Sequence, residues 1–386
     1  MRIQPLTVDL RRGKFEVRRQ MDVLERSQMK IAKIETFRVR VPLHPVSWHS
    51  ANITGWSGAW WDLPVVLLRM TTDSGLSGLG EAPKGVAESA IRQYAPLFKG
   101  RDPFELNWQH LPIGDVWSRA SGAYQAYETA LYDLVGKALE LPVYQLLGGA
   151  YRSRVRGSLC SGQMWPEDAA RRARRAAELG IDVLKMKANL GDPVVERISA
   201  INKAVGTAVR VTVDAGEHLQ HPRHVLEIAR GLEPYLDNIE CFEDPVSRSN
   251  LDWYVLLREK LDFPLALHLG SHQEVINAVK REACDYLNLG RSLNDFKKGS
   301  AIAEAAGMPV WHGSGVGLGI SEASHIHACA ATKATTLSSD IVGEMLRVDD
   351  LIVRPLEFEE GYFKVPQEPG LGVELDEEAL ERFGVR

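Results

Sequence analysis

The chain has 386 residues, 45% hydrophobic and 25% charged, with a formal net charge of -5 and a pI near 6.2. This is ordinary globular composition, and without a basic excess it argues against nucleic acid as a partner. No apolar run is long enough to span a bilayer, and Cys160, Cys241, Cys284 and Cys329 lack CxxC spacing, so they read as free thiols of a cytoplasmic protein rather than a zinc site or disulfide framework.

Residues 1–28 are charged throughout and contain no apolar core, so they read as a flexible N-terminal arm and not as a secretory signal. From Met29 the text alternates like a strand. KIETFRVRVPL and LPVVLLRMTTDSGLSGLGE predict strands, the second pair broken by a turn at Asp73–Gly75. Between them lies His44–Trp61, which carries Trp48, Trp56, Trp60 and Trp61. Residues 84–148 read as helical, most clearly SGAYQAYETALYDLVGKALELP. Strands followed by helices predict an α+β capping domain over 29–150.

After Arg154 short apolar runs alternate with amphipathic stretches. The runs VRGSLC, IDVLKMK, VRVTVD, NIECFE, PLALH, DYLNL, MPVWH and ATTLSSD begin near 155, 181, 209, 238, 264, 285, 308 and 334. This spacing predicts an α/β fold, a modified TIM barrel of (β/α)8 or (β/α)7β type over 151–352, with residues 353–386 packing back on the capping domain. The arginine-rich stretch Arg171–Arg175 reads as the solvated face of an outer helix.

Charged or metal-binding residues sit at the C-terminal ends of successive runs: Lys185 and Lys187, then Asp214, Glu243, His268 and His312. Barrel enzymes carry their active sites at that end, and a buried strand does not end in a charge without cause. Lys185 and Lys187 are two apart and face the same way. Their mutual repulsion would let one act as a neutral base while the other holds a carboxylate oxygen. Asp214 and Glu243 are oxygen donors suited to Mg2+. Asp244 is an alternative to Glu243, but strand alternation turns only one of them inward.

These residues resemble the enolase superfamily, on the side of mandelate racemase, muconate lactonizing enzyme and the sugar-acid dehydratases. The resemblance covers about residues 29 to 380. It is carried by MKIAKIETFRVRVPL, GLGEA at 78–82, Lys185-x-Lys187, Asp214, Glu243-Asp244-Pro245, PLALH at 264–268 and GMPVWHGS at 307–314. It implies a capping domain on a modified barrel, a Mg2+ ion, and removal of the α-proton of a small-molecule carboxylate to give a metal-stabilised enediolate. It also implies a homo-oligomer, a dimer or octamer.

The sequence departs from that pattern in three places. The third metal ligand is a carboxylate or amide in such families, but His268 stands there, which suits Mn2+ or another divalent metal better than Mg2+. The sixth strand should end in a lysine or aspartate, but the position is Gly290, and alternation turns Arg291 away. The racemase-type histidine should fall at Gly313, yet the nearest is His312, which enters the site only through a one-residue shift or bulge and otherwise lies behind the barrel wall. A one-sided mechanism follows. Lys187 takes the α-proton, and His312 or Lys187 itself helps a β-hydroxyl leave, so dehydration of a sugar-type hydroxy acid leads. A cycloisomerase or epimerase, or a non-catalytic metabolite-binding descendant, remains the alternative. His49 and Trp61 of the cap loop, and Ser314 in the glycine-rich GSGVGLG stretch, are candidate substrate contacts; His325 and His327 read as structural.

Overall fold

The structure, a computed structural model, describes residues 29–50, 61–114, 121–313 and 316–385. Ser314 therefore lies outside the described residues, as do Trp56, Trp60 and the arm at 1–28. Strands β1 (Ile31–Pro42), β2 (Asp62–Thr72) and β3 (Ser77–Glu81) form an antiparallel sheet in that order. Central β2 is almost wholly buried, as its apolar LPVVLL run requires. The turn into β3 uses Gly75 at φ +86, a left-handed conformation in which glycine escapes a Cβ clash.

Helix Ser121–Leu139 lies on this sheet. Its approach depends on two glycines of β3. A Cβ on Gly78 would sit 2.1 Å from the Ala130 carbonyl oxygen, and one on Gly80 would sit 2.0 Å from that of Ala126. The rest of 84–148 is less helical than its composition predicts, with short helices only at Glu88–Arg92 and Val143–Leu146 and a 3-10 turn at Ala95–Leu97 among the described residues.

The second sheet is parallel and seven-stranded, ordered by sequence: β5 (Leu159–Ser161), β6 (Val183–Lys187), β7 (Arg210–Asp214), β8 (Ile239–Glu243), β9 (Leu265–His268), β10 (Tyr286–Leu289) and β11 (Val310–His312). The eighth predicted run joins through single bridges at both edges, Thr335 to Val310 and Ser339 to Gly157, which closes the ring. The predicted first run, VRGSLC, is divided. Its start, β4 (Arg154–Arg156), leaves the barrel and pairs with a hairpin of β12 (Phe358–Glu359) and β13 (Tyr362–Lys364). The break falls at Gly157, where a Cβ would lie 2.8 Å from the Phe363 ring.

The outer helices bury one face, whereas Gly319–Ala330 is buried all round. Pro166–Glu178 turns Ala169, Ala170, Ala173 and Ala176 inward. Its arginines face solvent except Arg172, which bends inward to donate to the Cys160 carbonyl at 3.2 Å and that of Met345 at 3.3 Å.

The cap is fastened to the barrel by carboxylates at helix N-termini, where backbone N–H groups lack partners and the helix dipole favours negative charge. Glu81 accepts from Leu318 N–H at 2.6 Å and Ser321 N–H at 3.0 Å, at the start of helix Gly319–Ala330. Glu128 accepts from Leu293 N–H at 2.6 Å at the start of helix Leu293–Ala305. Near the C-terminus, Val385 N–H donates to Arg38 of β1 at 2.9 Å. No described helix is long and apolar enough to cross a membrane.

The glycine seam makes a direct test. Gly80→Ala should destabilise the protein by about 2–3 kcal/mol, because the clash is with backbone that cannot rotate away. Thermal melting followed by circular dichroism should show the loss, whereas Gly299→Ala, within a helix and closest to the flexible end of the Leu289 side chain at 3.2 Å, should cost less than half as much.

Candidate active site

The ends of β6, β7 and β8 bring together Lys185, Lys187, Asp214 and Glu243. Lys185 Nζ lies 2.7 Å from Glu243 Oε2, 2.8 Å from Asp340 Oδ2 and 3.3 Å from Asp214 Oδ2. Burial works against its charge, but Asp340, Glu243 and Asp214 outweigh it and hold its pKa well above the usual lysine value. Of the three contacts, the one to Asp340 is a hydrogen bond; those to Glu243 and Asp214 are ion pairs, and Glu243 Oε2 has no hydrogen-bond partner among the described residues. Lys187 is less buried, and its Nζ is 2.5 Å from Asp214 Oδ2.

Asp340 was not legible as a site residue, although it ends the eighth run, ATTLSSD, as the other site residues end theirs. That run forms bridges instead of a full strand, which weakens its strand signal.

Glu243 is buried and accepts from Asn288 Nδ2 at 2.6 Å. Asp244 follows it at φ +44, and this left-handed residue breaks the alternation that would have turned it away. As a result Glu243, Asp244 and His268 each offer a ligand atom within 4.8 Å of one another. Of the expected trio, the structure thus gathers Glu243 and His268 in that group. Asp214 lies outside it, drawn to the two lysines.

Burial, then the charge of Asp214, raises the pKa of Glu243; burial, then the charge of Glu243, raises that of Asp244. Carboxylates crowded in this way have more negative charge than nearby cations neutralise, and a bound divalent cation would relieve it. Although 43% of the His268 side chain is open, the surrounding protein and the Lys185 charge push its pKa down to about 3. The ring is therefore neutral, the form that binds metals. This oxygen–oxygen–nitrogen donor set fits a divalent cation.

Gly290 ends the sixth strand because there is no room for a side chain. A Cβ there would lie 2.5 Å from the Gly313 carbonyl oxygen. A Cβ on Gly313 would lie 1.7 Å from Asn288 Oδ1, so the histidine expected at 313 is excluded by the asparagine that holds Glu243. His312 lines the cavity, stacked on His325 at 3.9 Å and tilted against Phe296 at 4.5 Å between ring centroids. Burial, then His325, lowers its pKa well below the usual value, so it is neutral.

A cavity of ≈ 360 Å³ opens above these groups, lined in part by Lys84, Arg248, His268, Arg291, His312 and His325. Arg291 is a correction to the alternation argument. It follows β10 at φ +76 and lines the cavity instead of turning away. Lys84, just beyond the GLGEA text, was also missed, because nothing local says that a cap loop reaches the barrel mouth. Burial, then the Lys187 charge, pushes its pKa down to about 8.

His49 is buried and its ring lies edge-on to Trp61 at 4.1 Å; neither is among the residues lining this cavity. His325 lines the cavity as well as packing in its helix. His327 accepts from Tyr144 N–H at 3.3 Å through Nδ1 and contacts the Leu371 carbonyl at 3.1 Å through Nε2, a structural arrangement.

Comparison with known proteins shows the family and the fold. Residues 33–148 match the mandelate racemase / muconate lactonizing enzyme N-terminal domain, and 168–379 the enolase C-terminal domain-like family. The chain is 27% identical to the N-succinyl-L-Arg/Lys racemase of Bacillus cereus, over 92% of this chain and 98% of that protein. Its crystal structure superposes with a TM-score of 0.78 at 26% identity, over 92% of this chain and 98% of that one. Muconate cycloisomerase 1 of Pseudomonas putida is 26% identical, over 83% of this chain and 91% of that protein. A D-galactonate dehydratase family member of Paenibacillus sp. is 28% identical, over 83% of this chain and 88% of that protein. The chain belongs to the mandelate racemase / muconate lactonizing enzyme family of the enolase superfamily, and it is an enzyme of the isomerase or lyase type.

Proposed function

We propose that the chain is a metal-dependent lyase that removes the α-proton of a hydroxy carboxylate, a sugar acid being the leading class, and eliminates water from the same face. The observation that carries this reading is the closed space at Gly290, where a side chain would strike Gly313. A two-base isomerase needs a proton acceptor on each face of the substrate, and the sixth strand cannot supply one. An elimination from one face does not need it.

Lys187 is the base in this reading. Its amine takes the proton from the α-carbon, and the ammonium so formed returns it to the departing β-hydroxyl, which leaves as water. The α–β double bond that remains is an enol, which becomes the 2-keto acid. Lys185 acts indirectly, holding Asp214, Glu243 and Asp340 in register through its charge. Glu243 and His268, with Asp214 or Asp244, would hold the cation. When bound, that cation draws charge from the substrate carboxylate as the α-carbon loses its proton.

A second reading, an epimerase or cycloisomerase, has one specific observation in its favour. Lys84 lines the cavity with a pKa near the range useful to a base, so the cap could offer the amine that the sixth strand lacks. The racemase and cycloisomerase among the relatives point the same way.

The test is incubation with Mg2+ or Mn2+ and panels of sugar acids, N-acyl amino acids and dipeptides in D2O. The lyase reading expects 2-keto acid from the wild type and at least about 100-fold less from Lys187→Ala. An isomerised or deuterated acid without water loss, abolished by Lys84→Met, would replace it with the second reading. Neither keto acid nor exchange from any of these acids would overturn both readings for these substrate classes.

The donor set makes a separate prediction. Titration of metal-stripped protein should show tighter binding of Mn2+ than of Mg2+. His268→Asp should narrow that preference by about tenfold or more, because an oxygen donor replaces the nitrogen that the softer ion favours. An unchanged preference would remove His268 from the ligand set.

A further inference from the structure

Asn288 is a fully buried polar side chain to which the proton-transfer scheme gives no task. It stands on β10, beside His268 of β9 in the parallel pairing, and its backbone carbonyl accepts from Leu269 N–H at 3.1 Å. Its Nδ2 donates to Glu243 Oε1 at 2.6 Å. That oxygen lies 3.8 Å from His268 Nδ1, whereas Glu243 Oε2 lies 2.7 Å from Lys185 Nζ.

The two groups on Glu243 differ in kind. Lys185 is charged and offsets the charge of the oxygen it meets. The Asn288 amide is neutral, so it fixes Oε1 without cancelling its charge. A carboxylate oxygen has two lone pairs, and a single amide donor leaves one of them on Oε1 for a cation shared with His268. The other end of the amide has no such use. Asn288 Oδ1 has no hydrogen-bond partner among the described residues. An unpaired buried amide oxygen is destabilising, so packing alone gives no reason for an asparagine here. The oxygen lies against Gly313, where a Cβ would come within 1.7 Å of it. Gly313 is fastened to the same strand, its N–H donating to the Leu289 carbonyl at 2.6 Å, which keeps the two residues in contact. A methyl group at 313 would therefore have to push Asn288 aside.

We propose that Asn288 is a positioning residue of the metal site. It holds Glu243 Oε1 where, with His268, that oxygen can meet a divalent cation, and the bare Gly313 leaves the amide room to do so. This rests on the reading that Glu243 and His268 hold the cation. The line of action runs from Gly313 through Asn288 to Glu243. A change at Gly313, which has no side chain of its own, thus reaches the metal through the amide. Hydrogen bonds to a metal ligand from behind fix its direction, and losing one commonly weakens metal binding by about ten- to a hundredfold.

Calorimetric titration of the metal-stripped full chain with Mn2+ tests this, with circular dichroism showing that each variant is folded. Asn288→Ala should bind Mn2+ at least about tenfold more weakly than the wild type. Gly313→Ala should weaken binding too, although it removes no donor. The double variant should match Asn288→Ala alone within about twofold, because the shortened residue 288 leaves room for the new methyl group. Mn2+ affinity of Asn288→Ala within about twofold of the wild type, or losses that add in the double variant, overturn the proposal. Where a variant does not fold, a crystal structure of the wild type with Mn2+ bound decides. Asn288 Nδ2 should remain within hydrogen-bond distance of Glu243 Oε1, and a broken bond overturns the proposal. Glu243→Gln keeps the two readings apart. Mn2+ binding that is weakened by Glu243→Gln but not by Asn288→Ala removes the role of Asn288 alone; binding indifferent to Glu243→Gln removes the metal reading and the proposal with it.

Discussion

The buried ammonium of Lys185 is the constraint on which the barrel mouth depends. Taking a charge out of water costs several kcal/mol unless partners repay it. Lys185 finds its partners on β7, on β8 and on the bridged eighth segment, through Asp214, Glu243 and Asp340. These elements come from points far apart in the chain, and a one-residue slip in any of them would leave a charge buried without a partner. Asp340 is the member that closes the ring. Its segment touches its neighbours only by bridges and short hydrogen bonds, including Asp340 N–H to the His312 carbonyl at 3.0 Å. The ion cluster thus supplies register where the sheet ladder is weakest.

A second buried cluster does the same for the C-terminal segment. Arg347 is fully buried, donating to both Glu322 oxygens at 3.1 and 2.8 Å and to Asp350 at 2.5 Å. Glu322 also accepts from Val342 N–H at 3.0 Å and Gly343 N–H at 2.9 Å. The chain beyond the eighth segment is thereby tied to helix Gly319–Ala330, the same helix whose first turn Glu81 caps from the other domain. Cap and C-terminal segment therefore meet at one barrel helix, through carboxylates that accept from backbone N–H groups and from the Arg347 guanidinium.

The barrel and the residues at its strand ends were legible because two signals coincide there. Buried parallel strands read as apolar runs, and charges at their ends stand out against them. What was not legible follows from the same logic. Alternation holds only while the chain remains a strand, and it failed at Asp244 and Arg291, one and two residues past a strand end and both at positive φ. Gly290 and Gly313 read as missing catalytic groups. Only the folded structure explains them, since the Asn288 side chain that holds Glu243 fills the space a residue at 313 would need, and the 313 carbonyl fills the space at 290. Lys84 was invisible for another reason: its place depends on how two domains dock.

That docking also limits how the site can vary. Glu81 and Lys84 lie three residues apart; the first fastens the cap to the barrel helix and the second lines the cavity. Burial pushes the pKa of Glu81 up to about 7, and the two N–H groups it caps work against that shift. The reach of Lys84 is therefore set by a domain contact rather than by a free loop. On the opposite wall, Arg248 is fixed to the His268 carbonyl and Arg291 lies against bare backbone at Gly270. The floor is held by side-chain ion pairs around Lys185, and Arg248 on the wall by separate contacts with Glu217 and the His268 carbonyl. A substitution on the wall therefore leaves the partners of Lys185 in place.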